Sequence, residues 1–362
     1  MIALLAIIAG LVVLLIGGEL VVRGSSRLAL GLGISPVIVG LTVVAFGTSS
    51  PELAVSVGAI FGGSPDVAVG NVVGSNIYNV LLVLGASALL RPLVVQQQLV
   101  RFDVPLVIGV SLLLWLLVLD GALGAVEGAV LVSLLAVYTI MTVRKGRAET
   151  AAVADEYREA FEPPARGSSL LRSGLLFLAG LAALVVGAQA LVGGASEVAR
   201  SFGIPELVIG LTIVAIGTSM PELVTSVVAA FRGQRDLAVG NAVGSNLFNI
   251  LGVLGVSAIV APGGITVPAQ AIAFDIPVMV AVAVACLPLL FTGHLIRRWE
   301  GALFLGYAVA YTSFLVLEAI EHPMREPFAQ AMTWFVIPLT LATLVAVVIN
   351  EFRERKWRLR PS

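Results

Sequence analysis

The segment GLTVVAFGTSSPEL, beginning at Gly40, returns as GLTIVAIGTSMPEL, beginning at Gly210. Laid over one another without a gap, residues 40–85 and 210–255 are identical at 30 of 46 positions. The register runs on with small insertions. Phe102-Asp103-Val104-Pro105 falls on Phe274-Asp275-Ile276-Pro277, and Glu127-Gly128-Ala129 on Glu300-Gly301-Ala302. A chain duplicated to this degree is constrained to fold as two like halves. Only 12% of its residues are charged, against about 25% in a soluble domain. Its apolar residues come in continuous runs of about 20, the length of a membrane-spanning helix and not the alternation of a barrel strand.

Eleven spans are expected, at about 2–22, 36–61, 67–90, 102–119, 124–143, 170–192, 205–231, 237–260, 270–291, 299–317 and 328–350. The first could pass for a signal peptide, but it has no basic leader and no small-residue cleavage site, so it reads as a span. Five spans fall in each copy of the repeat. With an odd number, the second copy crosses the membrane in the opposite sense, which is the pattern of an inverted-topology transporter with its site near the midplane. The expected fold is an all-α polytopic membrane protein. Two inverted five-helix repeats occupy residues 1–143 and 170–317, and one extra transmembrane helix follows at 328–350. Residues 144–169 read as a cytoplasmic linker carrying a short amphipathic helix that ends before Pro163, and 351–362 as a basic cytoplasmic tail. Cytoplasmic loops carry an excess of Lys and Arg. With the N-terminus outside and the C-terminus inside, every one of the 21 basic residues except Arg200 and Arg325 falls on the cytoplasmic side of a cell (inner) membrane. The single Cys286 excludes an intramolecular disulfide. No zinc spacing, phosphate loop or nucleophile constellation is present, so no enzyme and no cofactor is expected. The basic tail suits lipid headgroups and not nucleic acid.

Each copy carries a glutamate, Glu52 or Glu222, within an apolar span. A charge at that depth costs about 2.5–3.5 kcal/mol on insertion scales and is by default functional. Ala45, Thr48, Ser49 and Glu52 share roughly one helix face, as do Ala215, Thr218, Ser219 and Glu222. Pro51 and Pro221 withhold the backbone bond to the carbonyls of Gly47 and Gly217, loosening the helix at glycine. The next span of each copy brings GNVVGSNIYN from Gly70 and GNAVGSNLFN from Gly240. There Ser75 and Asn79, and Ser245 and Asn249, are spaced to point inward together, with Asn71, Asn76, Asn241 and Asn246 as further amides. Carboxylates, hydroxyls and carbonyls are the ligands of a hard cation. Single hydroxyls in membrane helices are more often packing devices, but the duplicated set favours a cation site. Outside it, Asp103 and Asp275 are expected as helix caps or interface anchors, with ion entry as the lesser alternative, and Glu127 and Glu300 as residues opening helices. Glu19 is a lone acid whose counterpart is Gln189.

GTSSPEL with GNVVGSNIYN, and GTSMPEL with GNAVGSNLFN, resemble the two α-repeats of the cation/calcium exchanger superfamily, here at 36–90 and 205–260, and the likeness extends over about residues 1–317. The resemblance implies a ten-helix exchanger core and secondary antiport of Ca2+ against Na+ or H+. It places Ca2+ on Glu52 and Glu222 with the carbonyls of Thr48 and Thr218. Na+ would be held by Ala45, Ser49 and Ser75, and by Ala215, Ser219 and Ser245, with Asn79 and Asn249 completing the set. Some members carry Asp at one of those two Asn positions; here only two formal charges remain, which suits one Ca2+. The GNxxGSN form is closer to the sodium-coupled branches than to the proton-coupled GNxxE form. A Ca2+/H+ antiporter and, further off, a cation channel stay open as alternatives.

Overall fold

The computed structural model describes residues 2–160, 170–291, 295–343 and 345. Its helices, in chain order, are α1 (Ile2–Leu32), α2 (Pro36–Phe61), α3 (Asp66–Leu90), α4 (Leu99–Leu117), α5 (Ala125–Ala160) and α6 (Leu170–Ser201). Then come α7 (Glu206–Ile209 through Met220–Phe231, in pieces), α8 (Arg235–Val260), α9 (Ala271–Asp275 continued by Ile276–Phe291) and α10 (Arg298–Ala319). The start of an eleventh, α11, is Arg325–Ala331 with Met332–Val336. Eight of the described helices are long and apolar enough to cross a membrane, nine if the bent pieces of α7 count as one span; α9 holds a shorter apolar helix, Ala271–Leu287.

The order of elements recurs from one half to the other, down to single turns. Gly33 and Gly203 both close a helix at positive φ (65° and 74°), as do Gly63 and Gly233 (81° and 83°), a conformation that glycine adopts without steric cost. Short strands tie the halves together. Leu93–Val94 pairs antiparallel with Leu295–Ile296, and Ala122–Leu123 with Ile265–Thr266.

Helices α3 and α8 form the centre, with 72% and 78% of their apolar stretches buried, whereas α5 and α10 present most of theirs outward, at 22% and 11%. Leu5, Ile8, Leu15 and Ile16 of α1 are also exposed, an apolar surface suited to lipid. Helix α1 packs antiparallel on α6 at backbone distance. Glycine recurs every seventh residue on both, at Gly10, Gly17 and Gly24 and at Gly180, Gly187 and Gly194. A Cβ built on Gly17 would stand 2.8 Å from the Leu184 nitrogen and 3.0 Å from the Gly180 carbonyl. Small residues permit such approach where dispersion, not water exclusion, drives association. Gly17→Val is therefore expected to cost about 1–3 kcal/mol by overpacking, read as a lowered melting temperature in detergent. An unchanged melting temperature would show the interface to be slack.

Three expectations change. Helices α1 and α6 run more than two turns beyond the expected ends at 22 and 192, to Leu32 and Ser201. Helix α5 does not stop at 143 before a separate linker helix but continues unbroken to Ala160: residues 144–160 hold no proline and a single glycine, Gly146, and their Ala, Glu and Arg residues are good helix formers. Residues 161–169, 346–350 and the tail 351–362 lie outside the described residues. Where it is described, the extra helix rests on α10, the Tyr307 hydroxyl donating to Thr340 Oγ1 at 2.7 Å.

Candidate functional site

Two local departures from the α-helix shape the site. The first is the break in α2 and α7. Ser49 and Ser219 adopt the same non-helical conformation, φ −84° with ψ 5° and 6°, and a new helix starts at the next residue with Pro51 or Pro221 in its first turn, where proline is favoured. In α7 the two pieces meet at 56°. The second is a set of π turns at Gly40–Val44, Asn79–Leu84, Gly210–Val214 and Phe248–Leu254. Each re-aims the residues it carries, Asn79 and Asn249 among them, and such turns recur at functional positions.

These breaks bring the two halves face to face. Ser49 Oγ of the first half donates to Glu222 Oε1 of the second at 3.1 Å, and Glu222 lies close enough to Glu52 for their charges to interact. Thr48 Oγ1 reaches Asn241 Oδ1 at 3.2 Å and Ser245 Oγ at 3.5 Å. Ala45, Thr48, Ser49, Glu52, Ser75 and Asn79 are buried, and so are Ser219, Glu222, Ser245 and Asn249, while Ala215 and Thr218 are half-buried. Both carboxylate oxygens of Glu52, Oε2 of Glu222, the hydroxyls of Ser75 and Ser219 and the amides of Asn79 and Asn249 have no hydrogen-bond partner within the protein. Buried polar atoms are almost always paired, so a cluster of exceptions calls for a ligand. The donors are oxygen-rich and free of sulfur and imidazole, and among the described residues no group of three or more His, Cys, Asp or Glu converges. That set fits an oxygen-seeking ion such as Ca2+ or Na+ and not zinc.

Asn71 and Asn241, expected as further amides, turn their Nδ2 groups to the backbone beside the glutamates. Asn71 Nδ2 donates to the Glu52 carbonyl (3.1 Å) and Ser56 Oγ (3.0 Å); Asn241 Nδ2 donates to the Glu222 carbonyl (3.3 Å) and Ser226 Oγ (3.0 Å). Each clamps the broken helix beside its glutamate. Glu127 and Glu300 open helices as expected, accepting from the backbone of Gly124 and Arg297. Glu19 is no part of the site: it pairs with Arg23 and, at 2.6 Å, with Arg232 at the end of α7. Asp103 is not a side-chain cap. Tyr138 donates to it at 3.0 Å, and Tyr311 donates likewise to Asp275 at 3.0 Å. Those tyrosines escaped the sequence reading, although the offset that aligns Glu127 with Glu300 also lays Tyr138-Thr139 on Tyr311-Thr312.

The halves differ in access. Against Gly240 and Gly244 of α8, the backbone of α2 closes tightly: a Cβ on Gly244 would stand 2.7 Å from both Cα and the carbonyl oxygen of Leu41. The counterparts Gly70 and Gly74 of α3 face open space. There a cavity of about 500 Å³ is lined by Gly70, Asn71, Ala215, Thr218, Asp275 and Tyr311, among others. The contact made between Thr48 and Asn241 is thus absent between Thr218 and Asn71, which both line that cavity. A smaller space of about 140 Å³, reaching Thr218 between Pro51 and Gln189, lies beside it.

Residues 2–144 and 172–317 match the family described as sodium/calcium exchanger protein. CaxA of Alkalimonas amylolytica is 41% identical over 320 residues, spanning 87% of this chain and 99% of CaxA. Sodium/calcium exchanger MaX1 of Methanosarcina acetivorans is 32% identical over 339 residues, 85% of this chain and 96% of its own. A solved structure of the sodium-calcium exchanger NCX_Mj superposes with a TM-score of 0.73 at 32% identity, covering 86% of this chain and 99% of that one. The matched stretches hold both glutamates, both broken helices and both Asn-bearing π turns, and the chain belongs to the sodium/calcium exchanger protein family.

Proposed function

We propose that this protein is a secondary antiporter that exchanges Ca2+ for Na+ across the cytoplasmic membrane by alternating access. The observation that carries the reading is the pair of buried glutamates, one from each half, of whose four carboxylate oxygens three lack a protein partner, beside a cavity that reaches Ala215 and Thr218. In this reading the chain is two inverted five-helix repeats, 1–143 and 170–317, with the N-terminus outside. The loops at 62–65 and 261–270 then lie outside, and the cavity opens outward. Glu52 and Glu222 hold Ca2+ with the carbonyls of Thr48 and Thr218. Ala45, Ser49, Ser75, Ala215, Ser219 and Ser245 serve Na+, and Asn79 and Asn249 complete the shell.

Exchange follows from charge. One Ca2+ or several Na+ neutralise the two carboxylates, and a neutral site can pass the apolar barrier between the two access states. An empty, doubly charged site is penalised in that passage, which couples the ions and suppresses leak. The relatives named as sodium/calcium exchangers support the choice of ions. The test is radiolabelled Ca2+ uptake into proteoliposomes under separately imposed Na+, H+ and K+ gradients. An outward Na+ gradient is expected to drive accumulation at least about tenfold above the gradient-free control, tenfold corresponding to about 1.4 kcal/mol of coupled driving force. Uptake driven by a proton gradient alone would replace Na+ with H+ as the coupling ion, and ionic current without countertransport would replace the antiporter with a channel.

A further inference from the structure

The two Asp–Tyr pairs lie outside the ligand set above. Asp103 ends a π turn at Leu99–Asp103 and Asp275 ends its counterpart at Ala271–Asp275. Each sits in an apolar helix and accepts a hydrogen bond from a tyrosine one helix away, Tyr138 on α5 or Tyr311 on α10. An ionisable residue within an apolar helix is costly, and a hydrogen bond to tyrosine alone could be made by a neutral amide. The cost recurs at the equivalent place in both halves. The two aspartates differ in one respect: Asp103 is fully buried, whereas Asp275 lines the cavity of about 500 Å³ that reaches Ala215 and Thr218. It is the one carboxylate among that cavity's lining residues, whose other polar members include Asn71 and Thr218.

We propose that Asp275 is a transit carboxylate, a specificity-determining stop between the open face and the Glu52–Glu222 site, and that Asp103 takes the same part when the opposite face opens. The inference rests on the exchange reading. Tyr311 occupies one oxygen and fixes the rotamer, and an ionised carboxylate has about four acceptor positions, so the bond leaves room for a cation. Low-dielectric walls concentrate the field of one charge and raise local counter-ion concentration and on-rate by about 10–10³. A divalent cation gains more from this than a monovalent one. A resident cation is not required; the ion stops there and moves on.

The test compares right-side-out with inverted membrane vesicles, using Ca2+ uptake driven by whichever of a Na+ or H+ gradient supports it in the wild type. Asp275→Asn is expected to raise the KM for Ca2+ about tenfold at the face onto which the cavity opens, with KM at the other face and the maximal rate nearly unchanged. Asp103→Asn should do the reverse, and Asp275→Glu should restore. Should Asp275→Asn fold poorly, Tyr311→Phe, which keeps the ring and removes only the hydrogen bond, should raise the same one-sided KM by a smaller factor. Equal changes at both faces, or a fall in maximal rate alone, would mark a purely structural bond and overturn the proposal while leaving exchange intact. A wild type that moves no Ca2+ under any gradient would overturn the exchange reading and this inference with it.

Discussion

Glu52→Gln and Glu222→Gln are each expected to abolish Ca2+ transport in proteoliposomes without unfolding the protein. Glutamine keeps the shape and one carbonyl oxygen, so Ser49 can still donate to position 222 as it does to Glu222 Oε1. At position 52 no protein donor is stranded, because neither carboxylate oxygen has one. What disappears is half of the site's formal charge. Taking one partner from a buried charge pairing typically costs about 3–5 kcal/mol, roughly two to nearly four orders of magnitude in affinity. The ion-free variant should be as stable as the wild type or more so, since a buried charge without a partner opposes folding. Stabilisation by Ca2+ should vanish. In the wild type a ligand at about 100 times its Kd adds about 2.7 kcal/mol to stability, a shift that a melting experiment resolves. The two readouts separate the explanations. Lost flux with lost Ca2+-dependent stabilisation marks a ligand, lost flux with a collapsed melting curve marks a structural residue, and near-normal flux in either variant sinks the assignment.

The features that were legible beforehand have a common physical basis. A duplicated sequence announces itself by identity, and a carboxylate in an apolar span has few explanations other than function. Glu52 and Glu222 with their neighbours Thr48, Ser49 and Ser219 could therefore be named from residues alone, and the structure brings them together. The π turns could not be foreseen, because GLTVV and NVLLVL have the composition of any apolar helix. Asn71 and Asn241 could be placed on their helices but not aimed, since a side-chain amide can serve an ion or a backbone carbonyl equally well by composition. Tyr138 and Tyr311 look like interfacial anchors until their partners are seen in space. The access state was illegible for a deeper reason. Thr48 and Thr218 sit in nearly identical local sequences, as do Asn71 and Asn241, yet one Thr–Asn contact is closed and the other is a cavity. A repeated sequence specifies both arrangements alike; in the alternating-access reading proposed above, which half adopts which is a property of the state the molecule occupies.

That difference between the halves leads to the sharpest expectation, at Gly74. In the structure a Cβ at Gly74 meets nothing within 4 Å, whereas one at its counterpart Gly244 would lie 2.7 Å from the Leu41 backbone. If access alternates by exchanging the roles of the halves, Gly74 must close on Leu211 in the opposite state as Gly244 closes on Leu41 here. Gly74→Val should then leave this state untouched and overpack the other by about 1–3 kcal/mol. A bias of 3 kcal/mol lowers the population of the disfavoured state more than a hundredfold, and every exchange cycle must visit it. The expected result is a folded protein that binds Ca2+ with wild-type affinity by calorimetry and loses flux by about ten- to a hundredfold. Gly74→Ala should lie between. Gly244→Val should act in the other sense, straining the closed contact seen here and lowering the melting temperature, which Gly74→Val does not. Undiminished flux in Gly74→Val would mean that α3 never closes on α7, and with that the two halves could not exchange roles. Loss of Ca2+ binding together with flux would mean that the valine blocks the path to Glu52 and leaves the equilibrium between states unchanged.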